Sequence, residues 1–109
     1  SQIPTQYINL YCEKDTDFST DLRILKTNRF HDDDLSNCVI EAIIRDSYLQ
    51  DDPIYLTINN SEITTGLVTI SLSREETINL NCQNYSFDMY ITIGDIRSKL
   101  FYGLFKVYP

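Results

Sequence analysis

The sequence predicts an all-β fold of two antiparallel sheets packed face to face, and three observations predict it. Apolar residues recur at every second position through most of the chain, the period of a strand with one buried face and one wet face. Clusters of Gly, Pro, Asn, Asp and Ser interrupt these runs at intervals of about ten residues, the spacing of a β-sandwich. A length of 109 residues with 42% hydrophobic and 23% charged side chains suits one packed core, so residues 1–109 are expected to form a single domain.

The elements follow in order. Tyr7 to Tyr11 and Asp21 to Leu25 read as strands, joined by the polar stretch from Glu13 to Asp17. Asn37 to Arg45 is extended, with Cys38, Ile40, Ala42 and Ile44 on one side and Val39, Glu41, Ile43 and Arg45 on the other. After Pro53, Ile54, Leu56 and Ile58 alternate with Tyr55, Thr57 and Asn59; after Gly66, Val68, Ile70 and Leu72 alternate with Leu67, Thr69 and Ser71. Ser73-Arg74-Glu75-Glu76 matches the S-x-x-E capping box, so one short helical turn is expected near 73–80, crossing from one sheet to the other. The clearest strand is Tyr85 to Ile93, in which Tyr85, Phe87, Met89, Ile91 and Ile93 point one way and Ser86, Asp88 and Thr92 the other. Gly94-Asp95 is a tight turn that returns the chain through Leu100 to Tyr108 as a hairpin. About seven strands result.

Charge and cysteine content narrow the function. Nine Lys and Arg against sixteen Asp and Glu leave a net charge of −7, which repels phosphate backbones and anionic lipid; neither nucleic acid nor a membrane is an expected partner. No run approaches the roughly 18 apolar residues of a membrane span, and Ser1 to Asn9 lack a secretion signal, so the chain reads as soluble. Cys12, Cys38 and Cys82 contain no CxxC pair and read as reduced thiols, consistent with synthesis in a reducing cytoplasm. The Asn59-Asn60-Ser61 and Asn84-Tyr85-Ser86 glycosylation patterns then read as chance.

Little supports catalysis. His31 is the only histidine, which excludes schemes needing two imidazoles, and it reads as a surface residue beside Asp32, Asp33 and Asp34. That acidic run and the pair Asp51-Asp52 lack a D-x-D-x-D-G loop with a distal Glu, and read as solvated turns; calcium at Asp32 to Asp34 stays open. There is no Gly-rich phosphate loop, G-x-S-x-G elbow or HExxH. No enzyme activity and no cofactor are expected.

The last strand is more informative. Leu100, Tyr102, Leu104 and Tyr108 alternate with Phe101, Phe105 and Val107, leaving both faces apolar apart from Lys106 and Gly103. Such a strand is either covered on both sides within the domain or meets another subunit with its outer face. Leu100, Tyr102, Leu104 and Tyr108, together with Tyr90 and Tyr55, are the expected protein-contact residues. A glycan-binding module would instead place aromatics such as Tyr48, Tyr55 or Tyr90 on one platform.

A series of pieces then matches a known pattern in order: Asp17-Phe18, Asp34-Leu35-Ser36-Asn37, Ile44-Arg45-Asp46-Ser47-Tyr48, Gly66 to Thr77, Tyr85-Ser86-Phe87-Asp88-Met89, and Gly94-Asp95-Ile96-Arg97 through Gly103 to Val107. With these the chain resembles small tailed-bacteriophage virion proteins, similar to the N-terminal domain of upper baseplate proteins, over about nine-tenths of its length. Asn37 replaces the turn glycine of that pattern, and the glycine usual after the first strand is missing among Cys12 to Asp15. The resemblance implies an immunoglobulin-like sandwich acting as a non-enzymatic adaptor or connector in tail, baseplate or neck. Its expected partners are other virion proteins and copies of itself, and its place is the virion, after synthesis in the host cytoplasm. The alternatives are a receptor- or carbohydrate-binding module on a fibre and a capsid decoration protein.

Overall fold

The computed structural model describes residues 5–24, 35–46 and 52–109. Leu25, His31, Asp32 to Asp34, Tyr48 and Asp51, on which expectations fell, lie outside them. Two sheets form a sandwich. The strands are β1 (Gln6–Glu13), β2 (Phe18–Arg23), β3 (Val39–Arg45), β4 (Ile54–Tyr55), β5 (Thr57–Asn59), β6 (Leu67–Leu72), β7 (Asn84–Ile93) and β8 (Ile96–Tyr108). One sheet has the order β1-β8-β7-β3-β4 and the other β2-β6-β5. In immunoglobulin lettering the chain runs A′, B, C, C′, D, E, F, G, with A′GFCC′ facing BED.

Each expected strand has a counterpart with shifted ends: β2 is Phe18–Arg23 instead of Asp21 to Leu25, whose last residue lies outside the described residues, and β3 starts at Val39 instead of Asn37. There are eight strands among the described residues instead of about seven. Ile40, Ala42 and Ile44 of β3, Val68, Ile70 and Leu72 of β6, and Phe87, Met89 and Ile91 of β7 are all buried in one cluster. Phe18 of β2 meets Phe105 of β8 edge to face at 4.9 Å, joining the two layers. The run Ile54 to Asn59 is one strand in the sequence and two in space: it pairs with β3 up to Tyr55 and with β6 from Thr57. Leu56 is the hinge between them, buried and still donating its N–H to the Ala42 carbonyl at 2.9 Å.

The crossing from β6 to β7 is the expected helical turn, Arg74–Thr77. Ser73 Oγ accepts from the Glu76 N–H at 3.2 Å and the Glu76 carboxylate accepts from the Ser73 N–H at 3.0 Å, closing the capping box. Thr77, fully buried, fastens the β1–β2 connection to this turn: its hydroxyl donates to the Thr16 carbonyl at 2.7 Å and accepts from the Thr16 N–H at 3.2 Å. At the start of β7 the Tyr85 hydroxyl accepts from the Asn81 N–H at 2.8 Å, the back-bonding of a tyrosine corner.

Two expectations need correction. The sheets are not wholly antiparallel, because β1 pairs with β8 in parallel, from Gln6 opposite Phe101 to Glu13 opposite Tyr108. Alternation reports which face of a strand is buried and carries no information on its direction, so the period of two could not reveal this. Leu100 is not on the outer face. The β7–β8 register shifts between Met89 and Tyr90, whose partners are Phe101 and Lys99, so Leu100 is the extra residue of a bulge. Leu100 and Phe101 therefore both sit in the core, each 4% exposed.

Candidate docking face

The outer face of the five-stranded sheet collects the aromatic residues that the core does not use among the described residues. Register aligns one row across all five strands: Tyr55 of β4, Ile43 of β3, Asp88 of β7, Tyr102 of β8 and Tyr7 of β1. Tyr7 and Tyr102 pack edge to face at 5.2 Å, and Tyr11 and Tyr108 stack at 6.1 Å further along the same two strands. Tyr7, Tyr11, Tyr55, Tyr102 and Tyr108 are each between 44% and 57% exposed, whereas Ile43, opposite Tyr55 in the same row, is 2% exposed. Leu104 lies between the two tyrosine pairs, opposite Asn9 and Ser86, and is partly covered.

Two ion pairs lie on this face. Lys99 Nζ bonds Asp88 Oδ1 at 3.0 Å and Arg97 Nη2 lies 3.4 Å from Glu41 Oε1. The Arg97 guanidinium covers the Tyr90 ring at 3.7 Å from its centroid, and Lys99 and Lys106 lie near the rings of Tyr90 and Tyr11 at 5.5 and 5.6 Å. The hydrogen bond from Lys99 to the Asp88 carboxylate raises the ammonium above its ordinary range. Arg45, Arg97, Lys99 and Lys106 face outward against Glu13, Glu41 and Asp88, so the face is close to neutral in a chain of −7.

Of the residues expected to make contacts, Tyr102, Leu104, Tyr108, Tyr90 and Tyr55 share this face and Leu100 does not. Tyr90 is half-buried, with the Arg97 guanidinium over its ring. Tyr7 and Tyr11 were not among the expected residues. Their signal was the alternation Tyr7-Asn9-Tyr11-Glu13 opposite Ile8, Leu10 and Cys12; what was missing was that β1 lies beside β8.

The thiols take no part. Burial pushes Cys12 and Cys38 above the usual thiol range, Cys38 also donates to the Leu35 carbonyl at 3.1 Å, and Cys82 is exposed. Among the described residues no three His, Cys, Asp or Glu side chains converge, and no helix is long and apolar enough to cross a membrane. A scan against protein-family models matches none of them, and a search of curated proteins finds no match.

Proposed function

We propose that this chain is a bacteriophage virion structural protein, a non-enzymatic connector in the tail, baseplate or neck that acts through protein–protein contacts on the outer face of its five-stranded sheet. The observation that carries the docking reading is the tyrosine ladder of β1 and β8: four rings already packed in pairs, each ring about half exposed. Tyrosine gives large contact area with few rotatable bonds, and rings held by neighbours lose less freedom on docking. Charges paired within the face can be covered without leaving an isolated ion. The virion setting is supported by the ordered series of motifs from Asp17-Phe18 to Val107.

Quantitative mass spectrometry of purified particles tests the reading. The chain should occur at a fixed multiple per particle, and Tyr102→Lys should leave the isolated domain folded while lowering its incorporation. Particles that lack the chain refute the virion reading; full incorporation of a folded Tyr102→Lys variant refutes this face.

A further inference from the structure

The tyrosine ladder of β1 and β8 has a repeating pattern along its length. Tyr7 packed on Tyr102 forms one end, and Tyr11 stacked on Tyr108 forms the other. Asn9 opposite Leu104 lies midway, two residues from Tyr7 and two from Tyr11. A half-turn about a line across the strands at Asn9 and Leu104 therefore exchanges the two ends and lays rings on rings. It carries the row of Tyr7 and Tyr102 onto the row of Tyr11 and Lys106, and carries Leu104 onto itself. A patch that matches itself under a half-turn meets the requirement of an isologous pair.

Charge matches under the same half-turn. Lys106 and Glu13 face outward on this patch, and neither belongs to the Lys99–Asp88 or Arg97–Glu41 pair. The half-turn carries Lys106 over the row that holds Tyr102 and Asp88 in a second copy, and carries Glu13 toward the end where Lys99 lies. Opposite charges meet twice in the pair. The outward charges of the face nearly cancel while the whole chain carries −7, so two copies approach here against less repulsion than an average surface would give. Area sets the strength. Four rings about half exposed offer about 400 Å² per copy and about 800 Å² in a pair. Asn9, Leu104 and the flanking charged residues bring the pair to about 1,200 Å², the small end of specific interfaces, which is the size of a reversible contact.

We propose that this patch binds a second copy of the chain in a two-fold pair, with the β1–β8 ladders face to face, their strands antiparallel, and Leu104 of each copy at the axis. This names the partner of the docking face and rests on that reading. Sheets packed face to face keep their strands within about 30° of each other. Rows therefore stay matched near the axis and drift apart toward the ends, so Asn9, Leu104 and the rings beside them make the closest contacts.

Sedimentation equilibrium of the purified chain tests the pair. A reversible dimer should appear with a Kd on the order of 10–100 μM. A residue on a two-fold axis meets its own copy, so Leu104→Lys and Leu104→Glu should each weaken the dimer at least about tenfold through like-charge contact, with circular dichroism showing the fold retained. An equimolar mixture of the two variants should regain association, because lysine then faces glutamate. A chain that stays monomeric to about 500 μM overturns the proposal, as does a dimer that both variants leave intact or a folded mixture that remains monomeric. Where a variant fails to fold, amide chemical shifts of the unaltered chain on dilution decide: movement at Asn9, Leu104 and Lys106 supports the pair, and movement confined to other strands overturns it. A monomeric chain that still enters particles through this face refutes the pair and leaves the docking reading. Particles without the chain refute the virion reading and leave the solution dimer standing.

Discussion

Gly103→Ala tests the least replaceable contact in the fold. Gly103 has φ +153° in the middle of β8, directly opposite Ile8 of β1, and a β-carbon there would stand 1.7 Å from the Ile8 carbonyl oxygen. Ordinary carbon–oxygen contact begins near 3.3 Å, so β1 would have to withdraw by about 1.5 Å. A ladder hydrogen bond near 2.9 Å stretched by that amount is no longer one. Loss of two or three such bonds at about 1 kcal/mol each, with about 1–2 kcal/mol for an L-residue at positive φ, gives a cost of about 3–5 kcal/mol. That is a large share of the 5–15 kcal/mol typical of a domain. Urea unfolding followed by circular dichroism measures the loss, and amide exchange at Ile8 and Leu10 locates it on β1. A loss under about 1 kcal/mol with those amides still protected would refute the reasoning.

Three further outcomes follow from the same geometry. Thr77→Val keeps the shape of a fully buried side chain but strands both backbone groups of Thr16, and should cost about 1–3 kcal/mol in chemical denaturation; a loss below about 0.5 kcal/mol would contradict the clamp. With a maleimide, Cys82 should react first and Cys12 and Cys38 slowly, and Cys82→Ser should abolish the fast phase; its survival would place the reactive thiol elsewhere. Stability should fall as pH rises above the ordinary thiol range, because unfolded Cys12 and Cys38 release protons that the folded chain retains. The Lys99 contribution acts in the same direction: present below the ordinary lysine pKa, it is lost as pH rises through the raised one, and Asp88→Asn should remove that share. A stability curve level to about pH 11 would overturn both assignments.

Elements governed by local chemistry were legible in the sequence. The period of two in Tyr85 to Ile93 needs no tertiary knowledge, and neither does the Ser73–Glu76 capping box. The turn at Gly94-Asp95 is equally local. Gly94 has φ +61° and Asp95 is not among the residues at positive φ, the pattern of a two-residue II′ hairpin that closes Ile93 onto Ile96. Features set by partners distant in the chain were not legible. Leu56 faces inward in both sheets, so the strand can change partners there without breaking the alternation of Ile54, Leu56 and Ile58. The bulge at Leu100 reverses the parity of everything before it on β8, and the run of apolar residues on both faces conceals the reversal. The site was half legible for the same reason: residues of β8 could be assigned to a face, but Tyr7 and Tyr11 joined them only through the parallel pairing.

The doubly apolar last strand is central in its sheet, yet only its inner face is covered among the described residues. Between β1 and β7, β8 is interior to its sheet, and its inner set, Phe101, Phe105 and Val107, lies in the core. Its outer set is not covered by a second layer among the described residues, and Tyr102 and Tyr108 are instead sheltered laterally by Tyr7 and Tyr11 of the neighbouring strand. Lateral pairing removes part of each ring from water and leaves the other half exposed. The charges follow the same logic. Lys99 and Arg97 are matched within the face by Asp88 and Glu41, so covering these two cations does not strip lone ions. Reversing one member, as in Asp88→Lys, would leave two lysines facing each other and should weaken docking far more than it weakens the fold, since both ammonium groups stay hydrated until the face is covered.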